Sequence, residues 1–221
     1  MRSSAHYLGQ EGERYFAWQR GSGVVSAILD PPVFQRYIGP DDTVLDFGCG
    51  TGALLVALTS GPKLGVEVNE AARRAAAGAG IRVAAGSEEF PPESVDVVIS
   101  NHALEHVLEP LAELRSLHRI MKPGAKLVLR LPIDDWRVQR TPVDDGSNHL
   151  FTWTPRLIGN LLREAAFVVD DAHVVNHAWP PRAEALLARL PRFVFDGLAR
   201  MTAVALRRRQ LFVVARRSSS A

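Results

Sequence analysis

A glycine-rich loop is the first feature of this sequence with the residue types and spacing to bind a nucleotide-like ligand. Residues 46–52 read DFGCGTG and follow a short apolar segment. Glycines such as Gly48 and Gly50 let the backbone approach a ligand and adopt torsions that other residues avoid. The spacing also satisfies the dinucleotide pattern G-x-G-x-x-A, so the glycines alone do not separate one nucleotide ligand from another.

Two carboxylates beside this loop indicate the charge of the ligand. Asp46 stands two residues before Gly48, where it would repel a pyrophosphate but suit a ligand with a cationic amino group and a sulfonium centre. Glu67 follows the next strand-like segment, where a carboxylate can accept hydrogen bonds from both hydroxyls of a ribose. We therefore expect a cationic, ribose-bearing ligand, and Asp46 disfavours an NAD-dependent oxidoreductase.

Histidines follow the fourth strand-like segment and supply candidate bases near neutral pH. Residues 102–106 read HALEH, so His102 and His106 also fit the H-x-x-E-H zinc signature of one metallopeptidase group. That signature needs a long helix and a distant carboxylate, whereas here it comes directly after a strand, so we expect no metal site. His149, in a later polar segment, is a further candidate base, and packing is the alternative role for His106.

These residues need a scaffold of alternating strands and helices. Strand-like apolar segments lie at 43–47, 63–68, 81–85, 95–100, 126–131, 167–175 and 210–215. Helices are predicted at 53–60, 70–77, 111–121 and 154–164. The alternation predicts an α/β fold with a mostly parallel sheet and helices on both faces.

Three segments outside this alternation are expected to surround the site within a single domain, 1–221. Residues 1–36 are predicted to form two short helices that act as a lid, broken at Pro31. Residues 132–153 form a long polar loop. We expect this loop to border the side of the site where a second molecule, the acceptor, binds. Residues 182–206 form an apolar helical insertion, interrupted by Pro191, that packs on the sheet edge or pairs with a second copy as a homodimer.

Aromatic side chains in two of these segments, and one beyond them, are candidates for the walls of the site. Tyr7, Tyr15 and Trp18 could close the lid over the ligand, with plain packing as the alternative. Three tryptophans line the acceptor pocket or belong to the core: Trp136, Trp153 and Trp179.

The composition places few limits on partners. The chain has 221 residues, 47% of them hydrophobic, a formal charge of +2 and one cysteine. A nearly neutral chain gives no general reason to expect nucleic acid, although arginine runs at 207–209 and 216–217 leave RNA binding open beside a solvated surface. No signal peptide and no apolar run of ~18 residues is visible, so we expect a cytoplasmic protein without a membrane partner.

Taken together, the motifs resemble those of class I S-adenosylmethionine-dependent methyltransferases. The resemblance spans about residues 43–131 and rests on VLDFGCGTG at 44–52, GVE at 65–67, DVVISN at 96–101, LEHV at 104–107 and LHRIMKPGA at 117–125. It is greatest to the small-molecule branch, which includes ubiquinone-biosynthesis methyltransferases and enzymes that methylate sugars and natural products. It implies a Rossmann-like sheet of seven strands, mostly parallel, with an antiparallel C-terminal strand.

The resemblance implies S-adenosylmethionine as the cofactor and gives roles to residues near its methionine part. Asp46, Gly48 and Gly50 should hold the amino-acid end. Asn101, at the end of the fourth strand, should face that end and the methyl group. Cys49 is expected to be a small loop residue beside the cofactor.

The resemblance also implies roles around the nucleoside. Glu67 should bind the ribose and Val68 should contact the adenine. Ser87 and Glu88 should border the amino edge of the adenine. Many members of the class have an aspartate where Ser87 stands, which leaves this recognition to the Ser87 hydroxyl, the Glu88 backbone or both.

The function that follows is methylation of a small metabolite, at an oxygen of a sugar or natural-product intermediate. The available histidines favour oxygen. An RNA methyltransferase is the alternative enzyme, although only Asn101 remains of the Asn-Pro-Pro-Tyr motif of enzymes that methylate nucleic-acid amines. A non-catalytic protein that binds S-adenosylmethionine or forms dimers is the third interpretation.

Overall fold

The computed structural model describes residues 4–134, 146–179 and 189–219, and these ranges contain one sheet of seven strands. The strands are Val44–Phe47 (β1), Lys63–Val66 (β2), Arg82–Ala84 (β3), Val95–Asn101 (β4), Met121–Ile133 (β5), Phe167–Val175 (β6) and Arg209–Arg217 (β7). The helices are Gly9–Leu29 (α1), Pro31–Gln35 (α2), Ala53–Ala57 (α3), Glu70–Gly78 (α4), Pro110–Ile120 (α5), Pro155–Glu164 (α6) and Arg192–Ala205 (α7).

The strand order places the glycine loop at the point where the sheet reverses direction. The order is β3-β2-β1-β4-β5-β7-β6, so the chain winds outward from β1 on one side and from β4 on the other. Strands β1 to β5 pair in parallel, and β7 is antiparallel to both β5 and β6. This confirms the predicted α/β fold, with its mostly parallel sheet and antiparallel C-terminal strand. Ligands of such sheets bind at the carboxyl ends of the strands beside the reversal.

Side chains alternate across the sheet and give it an apolar core on each face. Leu45 packs with Leu114 of α5 and Ile158 of α6 on one face. Val44 packs with Phe34 of α2 and helix α3 on the other. All four residues of β1 are buried, as expected for a parallel strand covered on both sides. This rigid strand carries Asp46 to the edge where the ligand would bind.

The N-terminal segment differs from the prediction of two short helices. Residues 9–29 form one continuous helix, α1, which ends just before Pro31. Each of the helix's internal glycines costs about 1 kcal/mol relative to alanine, a cost that packing must offset. Asn69 supplies part of this packing, because its side-chain amide donates to the Gly12 carbonyl at 2.7 Å. The prediction was wrong because local propensity does not include these distant contacts.

Strand β5 begins earlier than the sequence indicates. The sequence predicts this strand at 126–131, yet it runs from Met121 and its register against β4 shifts between Val95 and Val97. Gly124 adopts a φ of 79°, which accommodates this irregularity. Residues 122–124 thus lie within β5, directly after the end of α5.

Parts of the three outer segments lie outside the described residues. These parts are residues 1–3 of the N-terminal segment, residues 135–145 of the acceptor-side loop, with Trp136, and residues 182–188 of the insertion. Helix α7 begins directly after Pro191, at the predicted interruption. Trp153 is a core residue with 5% of its surface exposed. Within the described ranges, no helix is long and apolar enough to cross a membrane.

Candidate cofactor and acceptor site

A cavity of about 510 Å³ lies at the carboxyl ends of β1, β2, β4 and β5. This volume is in the range of small-molecule sites, and the position is the one expected for an open parallel sheet. The glycine loop and Glu67 line the cavity. His102, His106 and His149 line it too, and we call the part that they line the acceptor end. The cavity therefore joins the two groups of residues that the sequence singled out.

The glycine loop is shaped by its neighbours and opens toward the cavity. Gly48 has a φ of 80°, and a methyl group at its Cα would collide with the Ala103 side chain. Gly50 has a φ of 53°, and no heavy atom lies within 4 Å of the position that a Cβ would take. The first position therefore needs glycine for both conformation and space, while the second leaves its backbone accessible.

Asp46 brings an uncompensated carboxylate to the cavity wall. Only 3% of its surface is exposed, and its Oδ1 accepts no hydrogen bond from the described residues. Burial, together with the negative charges of Glu67 and Asp30, raises the pKa of Asp46 to about 8. A cationic ligand group would relieve this accumulation of negative charge.

Glu67 braces the glycine loop in addition to facing the cavity. Its Oε2 accepts from the Gly50 amide at 2.9 Å, and its Oε1 accepts from the Asn69 amide at 2.8 Å. Burial raises the pKa of Glu67, and these backbone hydrogen bonds act in the opposite direction. A carboxylate has about four acceptor sites, so two remain for ribose hydroxyls.

The remaining predicted cofactor residues divide into two groups. Cys49, Val68 and Asn101 line the cavity, and burial raises the pKa of the Cys49 thiol, in keeping with a small packing residue. Ser87 and Glu88 do not line it. The Ser87 side chain is turned toward α5, where its hydroxyl donates to Ser116 at 2.7 Å. The adenine role of Ser87 and Glu88 stays a prediction that this arrangement does not support.

A buried polar cluster that the sequence analysis missed lines the cavity. Asp30, at the end of α1, pairs with Arg130 of β5 at 2.5 Å and accepts from the Asn101 side chain at 2.9 Å. Arg130 also donates to Gln210 at 2.6 Å and to His177 at 3.1 Å. The only available signal was an arginine inside the apolar segment LVLRLP. Asp30 carried no signal, because it precedes two prolines and reads as a turn.

His102 occupies a strained position at the end of β4. Its φ is 56°, an uncommon value for a residue other than glycine, and its amide donates to the Arg130 carbonyl at 2.9 Å. Its Nδ1 is 3.6 Å from Glu105 Oε1. Burial, together with the charge of Arg130, holds the pKa of His102 well below its usual range. The strained backbone turns this ring into the cavity beside Asn101.

The other two histidines meet beside the acceptor end. His106 Nδ1 is 2.8 Å from the Tyr7 hydroxyl, and burial lowers the pKa of His106 to about 4. His149 Nδ1 is 2.9 Å from Asp134 Oδ2. The centroids of the two rings are 4.9 Å apart in an edge-to-face arrangement. The structure thus brings His149 next to the motif at 102–106, although α5 and β5 lie between them in the sequence.

The expected lid residues do not all reach the site. Tyr7 and Tyr15 line the cavity, and their rings pack edge to face with centroids 4.9 Å apart. Trp18 points away, with 62% of its surface exposed. Trp179 lines the cavity at the opposite side. Closure of the N-terminal segment stays a prediction.

The sheet order, the glycine loop and the acidic pair at its reversal together define a class I S-adenosylmethionine-dependent methyltransferase. The profile of the methyltransferase domain family matches residues 6–172, and the chain belongs to this family. S-adenosylmethionine is the cofactor of the class. The residues fit it, because the unpartnered Oδ1 of buried Asp46 faces a cavity that a cationic group could enter.

Relatives and solved structures agree with this family. A ubiquinone biosynthesis O-methyltransferase from Serratia proteamaculans is 34% identical over 96 residues, which cover 38% of this chain and 40% of the relative. The match thus spans about two fifths of that relative.

Two structural neighbours extend the likeness over nearly the whole chain. A chain from the complex of the Haloferax volcanii Trm112 methyltransferase activator with a putative methyltransferase has a TM-score of 0.70 at 18% identity, covering 96% of this chain and 99% of that one. Phosphoethanolamine N-methyltransferase 2 from Haemonchus contortus, in complex with S-adenosyl-L-methionine, has a TM-score of 0.62 at 17% identity, covering 97% of this chain and 59% of that one. At these identities the likeness shows the fold alone.

Proposed function

We propose that this protein transfers a methyl group from S-adenosylmethionine to an oxygen of a small metabolite, such as a sugar or natural-product intermediate. The observation that carries this proposal is the cavity itself, which runs from Asp46 and the glycine loop to the histidines. Its volume of about 510 Å³ suits a cofactor and a small acceptor rather than a polymer. The name of the Serratia relative, an O-methyltransferase, supports oxygen as the acceptor atom.

On the donor side, the residues act by position and charge. Bound S-adenosylmethionine supplies a methyl group already activated on a sulfonium. Asp46 and the backbone of Gly48 and Gly50 hold its amino-acid end, and Asn101 faces the same end. Glu67 binds the ribose through its remaining acceptor sites, and Val68 contacts the adenine. Holding the donor in one orientation is the main contribution that a protein makes to an in-line transfer.

On the acceptor side, His102 is placed to accept the proton of an acceptor hydroxyl. It follows Asn101 directly, so it is the histidine nearest to the predicted position of the methyl group, and its backbone is fixed by Arg130. His149 is a second candidate, because the Asp134 carboxylate at 2.9 Å orients its ring. His106 is held by Tyr7 and lines the wall behind them.

Residues of the two arginine runs make contacts within the fold and beside the cavity. Arg216 donates to Asp170 at 2.9 Å, and Arg217 donates to Glu93 at 2.7 Å, so these two charges are engaged within the fold. Arg208 and Arg209 line the mouth of the cavity, where they are placed to meet an anionic group on a small acceptor. These contacts favour a small metabolite over RNA. The homodimer stays a prediction.

The test of this function is methyl transfer to a panel of acceptors. Purified protein would be incubated with methyl-labelled S-adenosylmethionine and hydroxylated sugars, phenols and polyketide-like compounds, with total RNA as a separate arm. We expect S-adenosylhomocysteine and labelled O-methyl product with at least one small acceptor, and none with RNA. Label in RNA alone would replace this proposal with the alternative enzyme. A His102→Asn variant should bind the cofactor normally but lose most of the turnover.

A further inference from the structure

Three side chains of metal-ligating type meet at the acceptor end of the cavity. A carboxylate oxygen of Glu105 and ring nitrogens of His106 and His149 all lie within 4.8 Å of one another. The distance from His106 Nε2 to Glu105 Oε1 is 3.8 Å. Two ligands held tetrahedrally at about 2.1 Å from one ion are roughly 3.4 Å apart, so small side-chain rotations would bring these atoms to coordination distance.

Glu105 is the member of this group whose carboxylate lacks a hydrogen bond from another described residue. Its side chain is completely buried, at 0% exposure, and neither carboxylate oxygen accepts a hydrogen bond from another described residue. Ring nitrogens of His102 and His106 are 3.6 and 3.8 Å from Glu105 Oε1, which is longer than a hydrogen bond. A buried carboxylate without a close partner is costly, and a cation between Glu105 and the histidines would remove that cost.

Both histidines have a polar partner on the ring nitrogen Nδ1. The Tyr7 hydroxyl is 2.8 Å from Nδ1 of His106, and the Asp134 carboxylate is 2.9 Å from Nδ1 of His149. Metal-bound histidines usually have such a partner on the ring nitrogen that does not bind the ion, because it fixes the ring and its tautomer. Both histidines of the group have a polar partner of this kind on Nδ1.

Backbone hydrogen bonds hold the two halves of the group together. The amides of Leu150 and Phe151 donate to the Glu105 carbonyl at 2.9 and 3.2 Å. They fasten the segment that carries His149 to the turn that carries Glu105 and His106. These main-chain contacts therefore hold the two segments of the cluster next to each other.

We propose that Glu105, His106 and His149 bind a divalent transition-metal ion of the Zn²⁺ type at the acceptor end of the cavity. Two imidazoles and one carboxylate match the ligand set of catalytic zinc sites, which keep a further position open for water or substrate. His106 and His149 line the cavity, so that open position faces the acceptor.

The ion would bind the acceptor oxygen. This role of the ion rests on the proposed function, whereas the binding of the ion does not. With His149 as a metal ligand, His102 remains as the candidate base. The H-x-x-E-H motif supplies only Glu105 and His106, and the third ligand comes from a distant loop. The sequence analysis expected no metal because the motif follows a strand instead of lying on a long helix.

Metal binding can be measured without any acceptor. Protein freed of metal by a chelator would be titrated with Zn²⁺ alone, by calorimetry and by competition with a chromophoric chelator. We expect one ion per chain at micromolar concentration. Glu105→Gln and His149→Asn should each weaken binding by at least ~30-fold, since each removes a direct ligand. His173→Asn is the matched control, because His173 is exposed on β6 and pairs with Asp171 at 2.8 Å.

Two results would overturn the proposal. One is the absence of stoichiometric Zn²⁺ binding at micromolar concentration, and the other is an unchanged affinity in Glu105→Gln. The affinity of Glu105→Gln for S-adenosylmethionine and its thermal unfolding establish that the variant is folded. Zn²⁺ binding without methyl transfer to any acceptor would contradict the proposed function and leave the metal site standing. Undiminished transfer in Glu105→Gln, once that variant has lost Zn²⁺ binding, would contradict the role of the ion in acceptor binding and leave the metal site standing.

Discussion

Asp46 is the residue whose ionisation most directly reports on the donor site. Its carboxylate is buried, one oxygen has no hydrogen-bond partner among the described residues, and its pKa is raised to about 8. An unfolded aspartate titrates near ~3.9. Between these two values the folded chain holds a proton that the unfolded chain has lost, so this residue lowers the stability of the cofactor-free protein as the pH rises.

Asp46→Asn should therefore stabilise the cofactor-free protein above neutral pH while weakening cofactor binding. The amide keeps the shape of the side chain and removes the charge. Relative to the wild type, the free energy of unfolding of the variant should increase by roughly 1 kcal/mol per pH unit between about pH 5 and pH 7. Urea denaturation at several pH values measures this difference. A difference that stays constant or shrinks with pH would contradict the assigned ionisation.

The same residue predicts proton release on cofactor binding. At about pH 6.5 the amino group of S-adenosylmethionine is still protonated, whereas Asp46 in the cofactor-free protein is largely neutral. Binding of the cation should drive Asp46 to its charged form and release close to one proton. Calorimetry in two buffers with different ionisation enthalpies measures this number. Equal heats in both buffers, or equal release from Asp46→Asn, would argue against it.

At the scale of elements, the glycine loop depends on its contact with the turn after β4. In Gly48→Ala, the new methyl group would be strained by the left-handed backbone and would collide with the Ala103 side chain. Gly80→Ala is the matched control, because Gly80 has a φ of 82° and nothing lies within 4 Å of its missing Cβ. Each should lose about 1 kcal/mol of stability from the backbone, and Gly48→Ala should lose more and bind the cofactor far less well. Similar unfolding free energies for the two variants would show that the contact has no importance.

The buried Asp30–Arg130 pair ties α1 to the middle of the sheet. Asp30→Asn should cost about 3 kcal/mol in unfolding free energy, because it leaves Arg130 buried without its countercharge. Asp196→Asn removes the exposed pair with Arg192 on α7 and should cost less than ~1 kcal/mol. Chemical denaturation compares the two. Equal losses would mean that the buried pair does not fasten α1.

At the scale of the whole molecule, the sequence predicted features encoded by short segments. The strands, the glycine loop, Asp46 and Glu67 lie within one or two elements of each other, so periodicity and motif spacing were sufficient. The Asn69 cap of α4 is equally local, and its side chain accepts from the Ala72 amide at 3.0 Å. Each of these features is formed by residues that lie close together in the chain.

The features that could not be predicted join segments far apart in the chain. Asp30 and Arg130 are one hundred positions apart. His149 reaches Glu105 only because backbone hydrogen bonds fasten its loop there. Helix α1 survives its internal glycines through contacts with other elements. No pattern within one segment reports such contacts, which is why the acceptor end was described less well than the donor end.

Binding of S-adenosylmethionine to the purified chain tests the central claim most directly. Calorimetry should give one site per chain at micromolar affinity. Asp46→Ala and Glu67→Ala should each reduce that affinity by at least ~30-fold, and Glu70→Gln, which alters an exposed carboxylate paired with Arg74, should leave it unchanged. No binding at millimolar cofactor, or wild-type affinity in both alanine variants, would contradict the account.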